Sequence, residues 1–364
     1  MRDIIEYLAQ TRELDGSDLH LTVGAPPAAR VHGELKPLEE FELSPEQCKT
    51  LIYDVLSEAQ RARLEANYDL DFALQVQNVG RFRGNALYSR GFVEAAFRFV
   101  PATIPTLREL GHVPIVEGLS QARSGFILIT GMAGMGKTTT LAALAKRILG
   151  ERSCVMVTIE DPVEYLLEHN IGIVRQRQVG DDVLSFPAAL RSALRQDPDI
   201  IVVGEMRDHE SISLALTAAE TGHLVLSTLH STDAPTALDR LIDAFPGDQQ
   251  SQIRSQIANS LVAIVSQRLM PRQDASGRVL ASEILIANAA VRSVIREGRS
   301  ERLTSLIQIG SQEGMHTLDE SLAHLLLHGH ISYENAMANA RDPDFVNNSL
   351  QAHLQQQEKL SKKR

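Results

Sequence analysis

The octapeptide Gly131-Met132-Ala133-Gly134-Met135-Gly136-Lys137-Thr138 fits the pattern GxxxxGK[ST]. Glycines at these spacings let backbone N–H groups converge on phosphate oxygens, and the lysine reaches the β- and γ-phosphates. The octapeptide follows the apolar run FILIT and precedes the helical TTLAALAKRIL, so the positive end of a helix is aimed at the same anion. Residues Gly131 to Thr138, with Thr139, are therefore the expected ATP site, and the Thr138 hydroxyl is an expected ligand of Mg²⁺.

A phosphate cradle needs a second acidic group and a water-activating one. DIIVVGEMRD carries four apolar strand residues that end in Gly204-Glu205; Glu205 reads as the Walker B acid, holding Mg²⁺ through water. VTIEDPVEYL packs Glu160, Asp161 and Glu164 after another apolar run, where ligands bind at the carboxyl ends of parallel strands. Glu164 is the candidate general base, and Glu160 and Asp161 are expected near the metal. In TGHLVLSTLHST, the seven-residue separation of His223 and His230 places them on opposite strand faces, which disfavours a shared metal. His230, at the strand's end, reads as a sensor of the γ-phosphate. Arg81 and Arg83 in GRFRGN share one strand face and offer guanidinium groups to a phosphate.

These residues need a scaffold. GFILIT, CVMVTI, DIIVVG and HLVLST are short, fully apolar runs spaced by helices, the mark of a parallel sheet covered on both faces. Before them, residues 1–100 mix a helix at 3–14 and another starting at Ser44 with strand-like LHLTV, ARVHGEL, FALQV, GRFRGNALY and EAAFRFV, which predicts a small α+β domain. A Pro-punctuated linker is expected at 101–110. A nucleotide-binding α/β domain follows over 111–345, helical after Ser260, with IANSLVAIVSQRL read as one of its helices. The Gln-rich, basic end predicts a frayed helix or a flexible tail over 346–364.

Composition narrows the classes. In 364 residues, 36 Lys+Arg against 46 Asp+Glu leave a net charge of −10, which argues against a nucleic-acid backbone as main partner. No stretch approaches the length of apolar sequence needed to cross a bilayer. Neither direct membrane insertion nor a signal peptide is expected, and the address is cytoplasmic. Cys48 and Cys154 lie far apart and supply neither a disulfide framework nor a four-thiolate zinc site.

Together SDLHLTVGAPPAARVHGEL, GRFRGNA, the phosphate loop, TIEDPVEY, LRSALRQDPDIIVVGEMRD, TAAETGHLVLSTLHSTDA and VRSVIREG resemble the type IV pilus retraction ATPases of the PilT type, within the secretion ATPase superfamily. The resemblance covers roughly residues 1–345. It implies a PAS-like N-terminal domain before a RecA-like ATPase domain, a homo-hexameric ring with ATP between the domains, and Mg²⁺-dependent hydrolysis that drives pilus retraction and twitching motility. The ring would work at the cytoplasmic face of the inner membrane, against a pilus platform protein and possibly with a paralogous retraction ATPase. By motif, Glu160, Asp161 and Glu164 belong to an Asp box, and His223 and His230 to a His box. Arg81 and Arg83 match arginines that approach the nucleotide. Arg292 and Arg296, otherwise a solvated i,i+4 pair, match a C-terminal helix associated with retraction. Met132, Ala133 and Met135 depart from the usual GPTGSGK[ST] loop and put its stiffness and turnover in question. AAVRSVIREG leaves room for an accessory paralogue of the PilU type. A pilus extension or type II secretion ATPase would carry a tetracysteine insertion that two cysteines cannot supply, and a RecA-like nucleic-acid motor is disfavoured by the charge.

Overall fold

The computed structural model describes residues 2–101, 103–206, 208–275 and 277–361. They form two compact units, one of residues 1–104 with 161–166 and the other of 105–160 with 167–364.

In the first unit the order is α1 (Ile4–Glu13), β1 (Gly16–Leu21), β2 (Ala28–Val31), β3 (Glu34–Pro37), α2 (Pro45–Tyr53), α3 (Glu58–Asn67), β4 (Asp69–Val76), β5 (Gly80–Ser89) and β6 (Phe92–Val100). The strands make one antiparallel sheet in the order β3-β2-β1-β6-β5-β4. ARVHGEL is not one strand: His32 (φ 51°) and Gly33 (φ 90°) are both left-handed, the two-residue turn that matches the twist of a hairpin. Helices α2 and α3 start on capping boxes, Ser44 with Gln47 and Ser57 with Gln60. Tyr7, Leu8, Leu51 and Ile52 bury against Leu19, Phe72, Phe82 and Phe97. Gly84 lies under the Phe72 ring, where a Cβ would come within 2.4 Å of Cζ.

The second unit runs α4 (Pro114–Gly118), β7 (Gly125–Thr130), α5 (Lys137–Glu151), β8 (Val155–Glu160), β9 (Ile173–Gln178), α6 (Phe186–Ala193), β10 (Ile200–Val203), α7 (His209–Glu220), β11 (Leu224–Leu229), α8 (Ala234–Asp243), α9 (Gln250–Ser260), β12 (Leu261–Pro271), β13 (Arg278–Ile286), α10 (Ala289–Glu297), α11 (Leu303–Ile309), α12 (Leu318–Leu327), α13 (Tyr333–Asn339) and α14 (Pro343–Ser361). Its seven-stranded sheet has the order β13-β12-β7-β11-β10-β8-β9. All neighbours pair in parallel except β13, which pairs antiparallel with β12. Every residue of β7, β10 and β11 is buried; at about 25 cal/mol per Å² of apolar surface, this two-sided burial holds the layers together.

One expectation fails here. IANSLVAIVSQRL is a helix only to Ser260; Leu261 to Pro271 is a strand, because this apolar, β-branched run fills the place between β7 and β13. At the C-terminal end α14 runs from Pro343 to Ser361, with Val346 fully buried in its first turns; residues 362–364 lie outside the described residues.

His112 sits under the phosphate-loop helix, its Nε2 2.9 Å from Thr140 Oγ1. Its Nδ1 is buried without a partner among the described residues, and burial pushes its pKa down to about 4. The unfolded imidazole, near 6.5, takes up its proton first as pH falls, so the unfolded state binds more protons in that window. The stability contributed by the neutral ring is fully present above pH ~6.5 and is lost as pH falls towards ~4. The loss is on the order of 3 kcal/mol. Thermal melts between pH 7 and 4 should therefore fall more steeply for the parent than for His112→Gln; parallel curves would exclude this origin.

Candidate active site

The register of the second sheet brings the candidate residues to one edge. Thr130 pairs with Leu229, Ser227 with Val203, and Val203 with Ile159. Gly131, His230 and Gly204 therefore follow the ends of β7, β11 and β10, and Glu160 closes β8, along one edge of the sheet with neighbouring strands about 4.8 Å apart.

At the end of β7 the chain must pass close to β12. A Cβ on Gly131 would lie 2.6 Å from the Gln267 carbonyl oxygen, so only glycine fits there. Gly136 caps α5 in the left-handed region (φ 80°) and places no side chain over its N-terminus. Helix geometry gives the first-turn N–H groups no acceptor within their own helix, and an anion is the natural partner. Lys137 is 8% exposed. Its Nζ donates to the carbonyls of Gly131 (2.8 Å) and Met132 (3.0 Å) and lies 3.3 Å from His230 Nδ1.

Met135, one of the departures from the usual loop, is built into the support. Its Sδ accepts from the Leu269 N–H at 3.3 Å, and its carbonyl accepts from Gln267 Nε2 at 2.6 Å. Arg278 donates to the Gly134 carbonyl at 3.1 Å. Met132 and Ala133 are exposed at the loop tip. Thr138 and Thr139 are half-buried in the first turn of α5.

His230 joins two of the charged groups, since its Nε2 lies 3.2 Å from Glu205 Oε1 while its Nδ1 faces Lys137. The turn that carries Glu205 is held by Thr228, which donates to the Gly204 carbonyl at 2.6 Å. Glu160 accepts from Thr158 (2.7 Å) and Gln176 (3.1 Å) at the end of β8. Among the described residues no three His, Cys, Asp or Glu side chains gather as a metal site, so the expected set of Thr138, Glu160, Asp161 and Glu205 is not a preformed cage. Mg²⁺ bound with a nucleotide keeps waters and phosphates and needs only one or two protein oxygens; Thr138 and Glu205 are hard oxygen donors of that kind. Gly131, where a Cβ would meet the Gln267 carbonyl, and left-handed Gly136 keep the loop's backbone open to an anion. The donor set fits a polyphosphate with its cation.

The remaining acids belong to the first unit. Asp161 and Glu164 lie in the segment 161–166, whose Asp161–Pro162 peptide is cis. Arg81 donates from Nε (3.1 Å) and Nη2 (2.6 Å) to the Val163 carbonyl. Arg83 reaches Glu164 Oε1 at 3.1 Å and Asp71 at 3.7 Å. Arg83, Glu164, Arg98 and Asp18 line a cleft of about 480 Å³ on this unit's sheet.

His223 precedes β11 and His230 follows it, so a strand length of roughly 20 Å separates them. His223 Nδ1 lies against the Ala218 carbonyl at 3.0 Å, at the far end of the sheet from the phosphate loop. Arg292 is no solvated charge: it donates to the carbonyls of Ala287 (2.9 Å), Asn259 (2.8 Å) and Leu261 (2.8 Å), closing the end of α9. Arg296 donates to the Asn259 side chain at 3.0 Å. Sequence reasoning missed Thr228, Gln267 and Arg278; for Gln267 the signal was a lone amide within an apolar strand run.

Comparison with known proteins places these features in a family. A family model described as type II/IV secretion system protein matches residues 109–338. The chain is 44% identical over 342 residues to the type IV pilus retraction ATPase PilT of Pseudomonas aeruginosa, across 94% of this chain and 99% of that protein. It is 39% identical over 328 residues to the type IV pilus ATPase PilU of the same organism, across 90% of this chain and 86% of that one. The crystal structure of the pilus retraction motor PilT with bound ADP superposes with a TM-score of 0.87 at 46% identity, over 94% of this chain and 98% of its own.

Arg81→Ala removes two guanidinium donors from the carbonyl of buried Val163. A stability loss of about 1–3 kcal/mol is expected in denaturant melts, with Arg81→Lys intermediate. An unchanged midpoint would mean that the 161–166 segment is held by other contacts.

Proposed function

The chain belongs to the type II/IV secretion system protein family, in its pilus retraction branch, and on that premise we propose that it is a Mg²⁺-dependent ATPase motor for type IV pilus retraction. The observation that carries the reading is the contact chain from Lys137 through His230 to Glu205, set beside a phosphate loop whose glycines allow close backbone approach.

The N–H groups of the first turn of α5 bind the phosphates. Lys137 exchanges the Gly131 and Met132 carbonyls for β- and γ-phosphate oxygens, and Thr139 extends the cradle. His230 moves with Lys137 and so registers whether a γ-phosphate is present. Glu164 orients the attacking water and takes its proton as the water oxygen bonds to the γ-phosphorus and the bond to the β-phosphate oxygen breaks. Arg81 and Arg83 hold the Glu164 segment and supply positive charge to the leaving phosphate. Thr138 and Glu205 would hold Mg²⁺, with Glu160 and Asp161 acting through water. When bound, the ion neutralises charge on the phosphates.

The motor acts as a homo-hexamer at the cytoplasmic face of the inner membrane. Force reaches the pilus through a platform protein; among the described residues no helix is long and apolar enough to cross a membrane. Accessory action beside a paralogous retraction ATPase is the second reading, kept open by the 39% identity to PilU beside the 44% identity to PilT.

Lys137→Ala should lose ATP binding in a fluorescent-analogue titration. Glu164→Gln should bind ATP normally while turnover falls at least about 100-fold; normal turnover in that variant would remove Glu164 from the base role. Deletion in the native cell should leave excess pili that do not retract. Missing pili would point to extension instead, and retraction weakened only under load to the accessory role.

A further inference from the structure

Beyond the nucleotide site, the loop that carries His230 is tied to the C-terminal helices by one arginine. Residues 230–233 join β11 to α8, and an arginine holds each end of the loop. Arg240 donates to the His230 carbonyl. Asp233, the N-cap of α8, accepts from the Thr236 N–H and the Thr232 hydroxyl, both at 2.7 Å. Its second oxygen also pairs with Arg341 Nη2.

Arg341 lies between α13 and α14 and meets more than Asp233. Its Nη1 is 3.6 Å from Glu283 Oε2 on β13. The other Glu283 oxygen accepts from the Ala234 N–H at 2.9 Å. The side chains of Asp233 and Glu283 are only 8% and 2% exposed. The main chain beside the guanidinium is fixed as well: Asp319 of α12 accepts from the N–H groups of Arg341 (2.8 Å) and Asp342 (3.1 Å). Just upstream, Arg268 of β12 donates to the Asn339 carbonyl and side chain at 3.1 Å.

Two carboxylates so deeply buried repel each other and lose hydration unless a cation sits with them. Burial pushes the Glu283 carboxyl up, with Asp233 and Asp319 adding to that, while the Ala234 N–H and Arg341 oppose it. For Asp233, burial acts upward as well, but the hydrogen bonds from Thr236 and Thr232 and the charge of Arg341 hold the carboxyl below its usual range. The guanidinium thus lets two buried acids stay close, and by doing so it sets where the loop between His230 and α8 can lie.

We propose that Arg341 is a positioning residue for hydrolysis: by clamping Asp233 and Glu283 it holds the His230 loop against Lys137 and Glu205, and it makes the position of that loop depend on the C-terminal helices. The inference rests on the reading of His230 as a γ-phosphate sensor. It predicts a defect in turnover rather than in nucleotide binding, because Arg341 lies behind the loop and the phosphate cradle is formed elsewhere.

The test is steady-state ATPase kinetics on the full chain, with Tm measured alongside. In Arg341→Gln, kcat should fall about tenfold or more with KM for ATP within about twofold. Arg341→Lys, which keeps the charge but not the fork, should fall between. Adding Glu283→Gln to Arg341→Gln removes one of the two buried acids and its repulsion of Asp233, and should recover part of the lost kcat. The double variant Arg341→Gln with His230→Gln should be no slower than His230→Gln alone, since both changes act through one imidazole. A lowered Tm with full kcat per folded molecule, or additive losses in the double variant, would overturn the proposal while leaving a slow His230→Gln variant to uphold the sensor. Normal turnover in His230→Gln would overturn the sensor reading and this inference with it.

Discussion

Strand register is the constraint on which the second unit depends. Thr130 pairs with Leu229 and Val203 with both Ser227 and Ile159, so four segments far apart in sequence leave the sheet at the same edge, β7 and β11 level with each other and β10 and β8 one or two residues short of them. Neighbouring strands are about 4.8 Å apart, and the side chains that follow them come within reach of one another without long loops. A slip of one residue in any pairing would turn that strand's side chains to the opposite face. A slip of β11 against β7 or β10 would also move His230 away from Lys137 or from Glu205. The uniform burial of β7, β10 and β11 resists such a slip, because each residue is already packed on one face or the other.

The register delivers the chain ends, and arginines then hold the loops that leave them. Arg81 grips the Val163 carbonyl, Arg240 the His230 carbonyl, Arg292 the end of α9, and Arg341 two buried carboxylates. The planar guanidinium offers several donors in a fixed fork, so one side chain from a neighbouring element can immobilise a turn that makes no ladder of its own. Lys137 is treated differently. Its single ammonium rests on loop carbonyls, contacts that a polyphosphate can replace at little cost.

Much of this was legible in the residues. The phosphate loop, the strand ends at Glu160 and Glu205, and the position of His230 follow from apolar runs and one dense motif. What escaped had a physical reason. ARVHGEL reads as one strand because its hairpin turn uses His32 in a left-handed conformation that few residues adopt. LVAIVSQRL reads as helix because a fully buried strand and a buried helix share the same apolar pattern. Arg292 reads as solvated because its carbonyl partners come from α9, about thirty residues away. Met135 reads as a weakness of the loop, yet its sulfur caps an N–H on β12 beyond the part that pairs with β7. The support from Gln267 and Arg278 depends on tertiary pairing that no local pattern encodes.

The segment 161–166 has a further consequence for how the chain can be divided. The chain passes from one compact unit to the other after residue 104, again after 160, and back after 166. No single cut therefore yields either unit whole. A fragment ending at 104 would keep Arg81 and Arg83 but lose the Val163 carbonyl and the Glu164 carboxylate they hold. A fragment starting at 105 would keep those two groups and lose both guanidiniums. Recombination at the apparent boundary would therefore part the two guanidiniums from the groups they hold.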